Sequence, residues 1–351
     1  MALTDPLRDL FTSEVCDSLR KRQATSEEVS IRLRIIEADE AESGTTDDED
    51  RRRSLLAYRR AWVAYISASS ASGMLNGDRG ADLRGRLRGA DSNQFRSAMA
   101  ECMSCWLLSN QMHLLLNPDE PGRGGKKLDM RVCINEAWVG VEVKAPFREH
   151  PKPPKGKSTV TWCGDDSDKI AECLKAANKQ FRDDGPNLLV IVPTLRLMLF
   201  SRRHDVVCAA YGENRICIPV DPLRGQVGPT EVKFSPNGKF LNPTGPNERP
   251  LKLDGLPAYR RISAILCIEE KVTQKYSLTD LPLFSPDGEE IKRWRSLYSG
   301  ADNDPQIDHN VMVFHNPFAY HPLSEDTFER YPQLVRSGDE MTWTDGYGTK
   351  A

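Results

Sequence analysis

Two runs of alternating apolar and polar residues, separated by Asn135-Glu136, constrain this chain more than any other feature of it. The first reads Lys127-Leu-Asp-Met-Arg-Val-Cys-Ile134 and the second Ala137-Trp-Val-Gly-Val-Glu-Val-Lys-Ala145. Period-two alternation marks a strand with one buried face, and a short polar link between two such runs predicts a β-hairpin. With Asn135 and Glu136 as the loop, Ile134 opposes Ala137 and Asp129 falls opposite Glu142. Leu128, Met130, Val132 and Ile134 then share the apolar face with Val139, Val141 and Val143. Asp129, Arg131 and Cys133 share the other face with Trp138, Gly140, Glu142 and Lys144. Opposed side chains stand about 5 Å apart at Cβ, where like charges destabilise a sheet. Two carboxylates held there call for a counterion. A hard divalent cation such as Mg²⁺ suits them, because it takes oxygen ligands from one or two carboxylates and keeps positions open for water and phosphate.

Helical periodicity flanks the hairpin on both sides. From Ser92 to about Leu116, Phe95, Ala98, Met99, Cys102, Cys105 and Trp106 form an apolar stripe, with Glu101 on its flank. A second helix is predicted from about Asp168 to Arg182, carrying Ile170, Leu174, Ala177 and Phe181, and Gly185-Pro186 ends it. The run Asn187-Leu-Leu-Val-Ile-Val-Pro193 that follows has the continuous apolar character of a buried parallel strand. Strand, helix and strand in that order predict a right-handed crossover and an α/β layer with a mixed sheet.

Taken in order, Glu101, Asp129, Glu142-Val143-Lys144 and Gln180 resemble the signature of the PD-(D/E)XK nuclease superfamily, the restriction-endonuclease-like fold. The resemblance spans roughly residues 92–193, and Leu128 stands where the name of the motif has proline. It implies a core of helix, β-hairpin, helix and strand, and a metal-dependent endonuclease that hydrolyses DNA, of the restriction or anti-phage defence kind. It implies Mg²⁺, with Mn²⁺ as a substitute, held by Asp129, Glu142 and the backbone carbonyl of Val143. Lys144 would orient or deprotonate the attacking water, or stabilise charge on the phosphorane. Glu101 would join a second metal or bind through water, and Gln180 would position a phosphate or water. Two alternatives stay open on the same fold, an RNase and a catalytically silent nucleic-acid-binding or assembly module. A third places a ligand elsewhere, near His315. A homo-oligomer or an activating partner protein is compatible with each.

Basic segments flank the hairpin in the sequence. Arg79, Arg84, Arg86 and Arg88 precede the first core helix, while Arg148, Lys152, Lys155 and Lys157 lie in a Pro-rich loop after the second strand. Their placement suggests phosphate contacts, which position a polyanion without reading its sequence. Cys102 and Cys105 have metal-like spacing inside an apolar helical stretch, without the second ligand pair a zinc site needs, and are expected to be structural. His309, His315 and His321 also lack cysteine or acidic partners nearby and are expected to be structural.

Around this core the chain predicts a helical N-terminal region over 1–90, the nuclease core over 91–220, a β-rich C-terminal extension completing the sheet over 221–335, and a polar, fraying tail over 336–351. Residues 221–257 are expected to be an insertion or an ordered arm, and further strands are expected at Leu195–Phe200 and Arg215–Val220 in the core and at Arg261–Ile268 and Val311–His315 in the extension. A net charge of −3 argues against a protein that coats nucleic acid indiscriminately, though not against a local basic face. Nine scattered cysteines, an odd number, fit reduced thiols better than a disulfide framework. No apolar run reaches the roughly 20 residues a membrane span needs, and the first residues lack the basic-then-apolar pattern of a signal peptide, so a cytoplasmic protein is expected.

Overall fold

The hairpin, Asn187–Ile191 and the strands expected at Arg261–Ile268 and Val311–His315 all join one sheet, in the order in which they occur along the chain. The computed structural model describes residues 5–23, 27–38, 46–118, 120–147, 167–193, 202–211, 213–217, 220–221, 226–227, 231–235, 238–242, 256–273, 306–337 and 340–344. By internal contacts it divides into two units, one of residues 1–111 with 269–310 and one of residues 112–268 with 311–351.

The first unit is built from helices α1 (Pro6–Leu10), α2 (Ser13–Gln23), α3 (Glu27–Glu37), α4 (Thr46–Ala71), α5 (Gly77–Arg88) and α6 (Ser92–Trp106). Asp5 and Asp91 cap α1 and α6, accepting from Leu7 N at 3.0 Å and Gln94 N at 2.9 Å, which satisfies N–H groups that a helix start leaves orphaned. The Gly- and Arg-rich stretch before α6 is itself a helix, not a loop. It lies so close to the preceding turn that a Cβ on Gly80 would stand 2.0 Å from the carbonyl carbon of Leu75. Leu83 and Leu87 of α5 and Ala98, Cys102 and Cys105 of α6 are fully buried.

The second unit carries an α/β core and most of a mixed eight-stranded sheet. Its strands are β1 (Leu115–Asn117), β2 (Met130–Ile134), β3 (Ala137–Lys144), β4 (Asn187–Ile191), β5 (Ala264–Thr273), β6 (Gln306–His315), β7 (Gln333–Ser337) and β8 (Glu340–Thr344), adjacent in that order. β1 to β3 are antiparallel, β3 to β4 and β4 to β5 parallel, β6 to β7 parallel, and β7 to β8 antiparallel. The loop between β2 and β3 is Asn135-Glu136, both with positive φ (48° and 65°), the conformation that matches strand twist in a two-residue hairpin.

Helices α7 (Ser167–Gln180) and α8 (Arg202–Tyr211) lie over one face of this sheet. Ile170, Leu174, Ala177 and Phe181 recur at helical spacing and pack with Leu189 and Ile191 of β4, Ile265 and Cys267 of β5, and Val206 and Tyr211 of α8. Every residue of β4 is buried, so both faces of that strand are covered, as its continuous apolar run predicts.

Two expectations need correction. Residues 340–344, expected to fray, form a strand instead: β8 pairs with β7, Met341 is buried, and Trp343 meets Phe314 edge-on at 5.4 Å. Leu128 does not share a face with Met130, Val132 and Ile134. It joins the cluster under α7, with Cδ1 against the Cα of Gly140, so close that a Cβ there would stand 2.7 Å from it. The strand expected at Arg215–Val220 pairs outside the main sheet, in short ribbons with the region expected as an insertion or arm: Glu213–Cys217 with Glu231–Ser235 and Val220–Asp221 with Gln226–Val227. The strand expected at Leu195–Phe200 lies outside the described residues.

Asn187 fixes the start of β4 beside the hairpin. Its buried side-chain amide donates to the carbonyls of Arg182 and Gly185 at 3.0 Å and of Arg261 at 2.9 Å, while its own N–H donates to Ser263 Oγ at 2.9 Å. Asn187→Ala leaves these carbonyls without their donor, and is expected to cost about 2 kcal/mol in urea denaturation. Asn187→Asp, which keeps the shape but cannot donate, should be no less damaging.

Candidate active site

The ladder between β2 and β3 runs from Ile134↔Ala137 to Met130↔Val141, the register that the alternation predicts. At Asp129 it breaks. The Asp129 N–H still donates to Val141 O at 3.0 Å, but its side chain turns inward and Oδ2 accepts the Val143 N–H at 2.7 Å. A carboxylate thus takes the place of a main-chain carbonyl, so Asp129 and Glu142 are neighbours without forming a regular cross-strand pair. Along β3, Gly140 N donates to Pro186 O and Lys144 O accepts from Val192 N, so the even-numbered peptide groups face β4. Peptide groups alternate in direction along a strand, so the N–H and C=O of Val143 both point to the side where Asp129 stands.

Glu142 projects from the same strand onto the α7 side and is only 2 % exposed. Its Oε1 accepts a hydrogen bond from Lys144 Nζ, and its buried Oε2 has no hydrogen-bond partner among the described residues. Burial, then the nearby Asp129 carboxylate, push the Glu142 carboxyl up to about 7 against the opposing pull of Lys144 and Gln180. Burial alone would lower the Lys144 ammonium, but the Glu142 and Asp129 carboxylates more than offset that and the net shift is upward. Lys144 is therefore a cation at neutral pH. Gln180, the last residue of α7, accepts from Lys144 Nζ through Oε1 at 3.5 Å. Four residues that the sequence reading brought together, Asp129, Glu142, Lys144 and Gln180, accordingly form one cluster.

Glu101 has a different environment. It is buried on α6, and Arg86 of α5 donates to both of its oxygens, at 2.7 and 3.1 Å. That bidentate pair explains the buried carboxylate without a metal. Arg84 donates to Leu75 O and Arg88 Nε to Leu10 O at 2.8 Å. The three arginines expected in a phosphate-binding loop are thus half-buried on a helix and hydrogen-bonded within the helical unit. Arg148, Lys152, Lys155 and Lys157 lie outside the described residues.

Other features were missed. The segment Gly122–Lys127 is anchored by Gly122 N donating to Lys126 O at 2.6 Å, and a Cβ on Gly122 would stand 3.1 Å from Gln180 O. Arg123, Lys126 and Lys127 are exposed there, beside the end of α7 that carries Gln180, and Gly124 and Gly125 have positive φ (66° and 77°). The Gly-Arg-Gly-Gly-Lys-Lys composition was the available signal. Cys173 lies two turns before Gln180 on the same helix, close enough for Lys144 to pull its thiol down, although burial dominates and raises it to about 11.

Among the described residues no group of three or more His, Cys, Asp or Glu side chains is gathered to hold a metal ion. What the hairpin offers is a carboxylate pair with one orphaned buried oxygen and a main-chain carbonyl on the side where Asp129 stands, an all-oxygen set that suits a hard cation. Cys102 and Cys105 are buried in α6, and burial raises Cys102 to about 12. His315 contacts Gln333 Oε1 at 2.8 Å and His321 contacts Asp183 O at 2.8 Å, so both have structural partners. A cavity of about 220 Å³ in the helical unit is lined by Ala57, Ala61, Tyr65, Trp106 and His309. There the Tyr65 hydroxyl donates to Glu270 at 2.8 Å and meets His309 Nε2, so its polar groups are already paired. No helix among the described residues is long and apolar enough to cross a membrane. No family model, no curated protein and no solved structure matches this chain.

With Glu142 raised from 4.5 to about 7, the folded chain carries a proton in that window that the unfolded chain has released, so this group's contribution to stability falls as pH rises through it. In EDTA, the melting temperature of the natural chain is expected to fall relative to Glu142→Gln as pH is raised from about 5 to about 8. Saturating Mg²⁺ or Mn²⁺ should raise it strongly at about pH 8 and little at about pH 5, and Asp129→Asn should lose most of that increment.

Proposed function

We propose that this protein is a divalent-metal-dependent phosphodiesterase of the restriction-endonuclease-like kind, acting on nucleic acid with DNA as the first candidate substrate. The observation that carries the reading is the carboxylate pair of half-buried Asp129 and buried Glu142, with an orphaned Glu142 oxygen and a hydrogen-bonded Lys144 cation beside it. An unpaired buried oxygen next to a second carboxylate is costly in an apolar interior unless a cation enters. Helix α7 supporting the sheet behind this hairpin, and the parallel strand β4 that follows, agree with the core that the resemblance implies.

Asp129, Glu142 and the Val143 carbonyl would hold Mg²⁺ or Mn²⁺, which supplies Lewis-acid polarisation of a phosphoryl oxygen and makes a water nucleophilic near neutral pH. The remaining work falls to the chain itself. Asp129 is held by the Val143 N–H, which fixes the direction of its carboxylate before any ligand arrives. Glu142 must be ionised to take part, which its raised value makes a neutral-to-alkaline event. Lys144 remains protonated and serves best as an electrostatic partner for the scissile phosphate or the attacking water. Gln180 limits where the Lys144 ammonium can swing. Arg123, Lys126 and Lys127 supply exposed positive charge at the rim for neighbouring phosphates. Glu101 is left out of this scheme because Arg86 holds both of its oxygens.

A second reading, a nucleic-acid-binding module without catalysis, is favoured by Lys144 already occupying one Glu142 oxygen. The two are separated by incubating plasmid, linear DNA and RNA with the purified protein in Mg²⁺, Mn²⁺ or EDTA. Metal-dependent cleavage is expected, and Asp129→Ala, Glu142→Ala and Lys144→Ala should each lower it by about 100-fold or more. Cleavage that survives Glu142→Ala would sink the proposed site, and binding without cleavage in any metal would favour the module.

The rim can be tested separately. Replacing both Lys126 and Lys127 with Ala is expected to weaken substrate binding and flatten the log–log salt dependence by about one to two units, while turnover at saturating substrate stays within about threefold.

A further inference from the structure

Two large apolar side chains are exposed in one row on the face of the sheet that carries Glu142. Leu115 of β1 pairs with Cys133 of β2, which pairs with Trp138 of β3, so the three form one row across the sheet. Leu115 is 71 % and Trp138 43 % exposed, and Tyr320 is the other large hydrophobic exposed among the described residues. Arg131, on the next row, lays its guanidinium over the Trp138 ring at 4.4 Å from the centroid. Trp138 and Glu142 are four residues apart on one strand, so they share a face and stand roughly 13 Å apart along it. Between them Leu128 covers Gly140, which brings the exposed Lys126 and Lys127 to the same margin.

We infer that Trp138 and Arg131 form a stacking platform for an unpaired base of a nucleic-acid strand whose backbone runs on to the carboxylate pair, an inference that rests on the proposed function. The chemistry selects this occupant. An exposed indole offers a π face that any base can cover, and a guanidinium stacked on it adds positive charge where a phosphodiester must pass. A blunt duplex keeps its bases stacked on each other and would have to unstack one, at a cost, to use the same surface. A single strand, flap or overhang has such bases available. The substrate class is therefore nucleic acid with a single-stranded part near the cut, and the platform does not distinguish DNA from RNA.

The test uses the full chain carrying Lys144→Ala to suppress cleavage, with Trp138→Ala or Trp138→Phe added. Fluorescence anisotropy in EDTA and in Ca²⁺ measures binding of a labelled single-stranded DNA, an RNA of the same sequence, a blunt duplex and a duplex with a single-stranded flap. Trp138→Ala should weaken binding of the single strands and the flap by about tenfold or more, Trp138→Phe should restore most of it, and the blunt duplex should change less than about twofold. The DNA and RNA arms then show which polymer is gripped more tightly. An equal loss on all four probes, or none, overturns the platform, and so does a change in sedimentation behaviour with oligonucleotide binding intact, which would give this face to a second copy of the chain. If the natural chain cleaves in Mg²⁺ while Trp138→Ala binds single strands normally, the platform is wrong and the nuclease reading survives. If nothing is cleaved in any metal and binding still depends on Trp138, the platform stands and the nuclease reading falls.

Discussion

The hydrogen bond from Val143 N to the Asp129 carboxylate is the interaction on which the rest of this site depends. It ends the hairpin ladder one residue earlier than simple alternation would have it. By ending it, the bond sends Leu128 to the opposite face, under α7, and holds a carboxylate at the edge of β3 in a fixed direction. A main-chain carbonyl there would have continued the sheet and left no oxygen for anything else. A neutral side chain would have left the Val143 N–H seeking another acceptor. The same contact therefore closes one structural element and opens a chemical one.

Much of this was legible in the chain, and the reason is periodicity. The hairpin register, the parallel strand Asn187–Ile191 and the helix carrying Ile170, Leu174 and Ala177 follow from repeats of two and of 3.6, which backbone geometry enforces. Asp129, Glu142, Lys144 and Gln180 came together because they lie on or next to those regular elements. The break at Asp129 was not legible, since a side chain that imitates a carbonyl leaves the alternation of its neighbours untouched. Nor was the end of the chain: Glu340–Thr344 looks polar, yet an edge strand needs only alternate residues such as Met341 and Trp343 to pack.

The arginines illustrate a different limit. Arg84, Arg86 and Arg88 read as a basic patch because sequence reports charge and not its partner. In the folded chain one is spent on Glu101 and the others on main-chain carbonyls, so the positive charge is satisfied internally. Gly122–Lys127 stood out in no pattern of the sequence. Its two left-handed glycines and its anchoring against the end of α7 make it a shaped turn with cations on its outside. A glycine-rich basic stretch next to a regular element carries more information than a longer basic run elsewhere.

The parallel partner of β3 has a consequence for how this protein can vary. Strand β3 is paired on both sides, with β2 and with β4, and each partner fixes the same alignment independently. Inserting or deleting a single residue inside β3 exchanges inward and outward side chains along everything beyond it, moving Glu142 and Lys144 together to the far face and placing valines where the carboxylate had been. Changes of length by two restore the parity but shift the carboxylate by a whole repeat relative to Asp129. At Asn135-Glu136 descendants of this chain can vary only among residues that tolerate a positive φ, and only at the same loop length. Within the strand itself only like-for-like replacement keeps the arrangement, so the count of residues there is as binding a requirement as their identity.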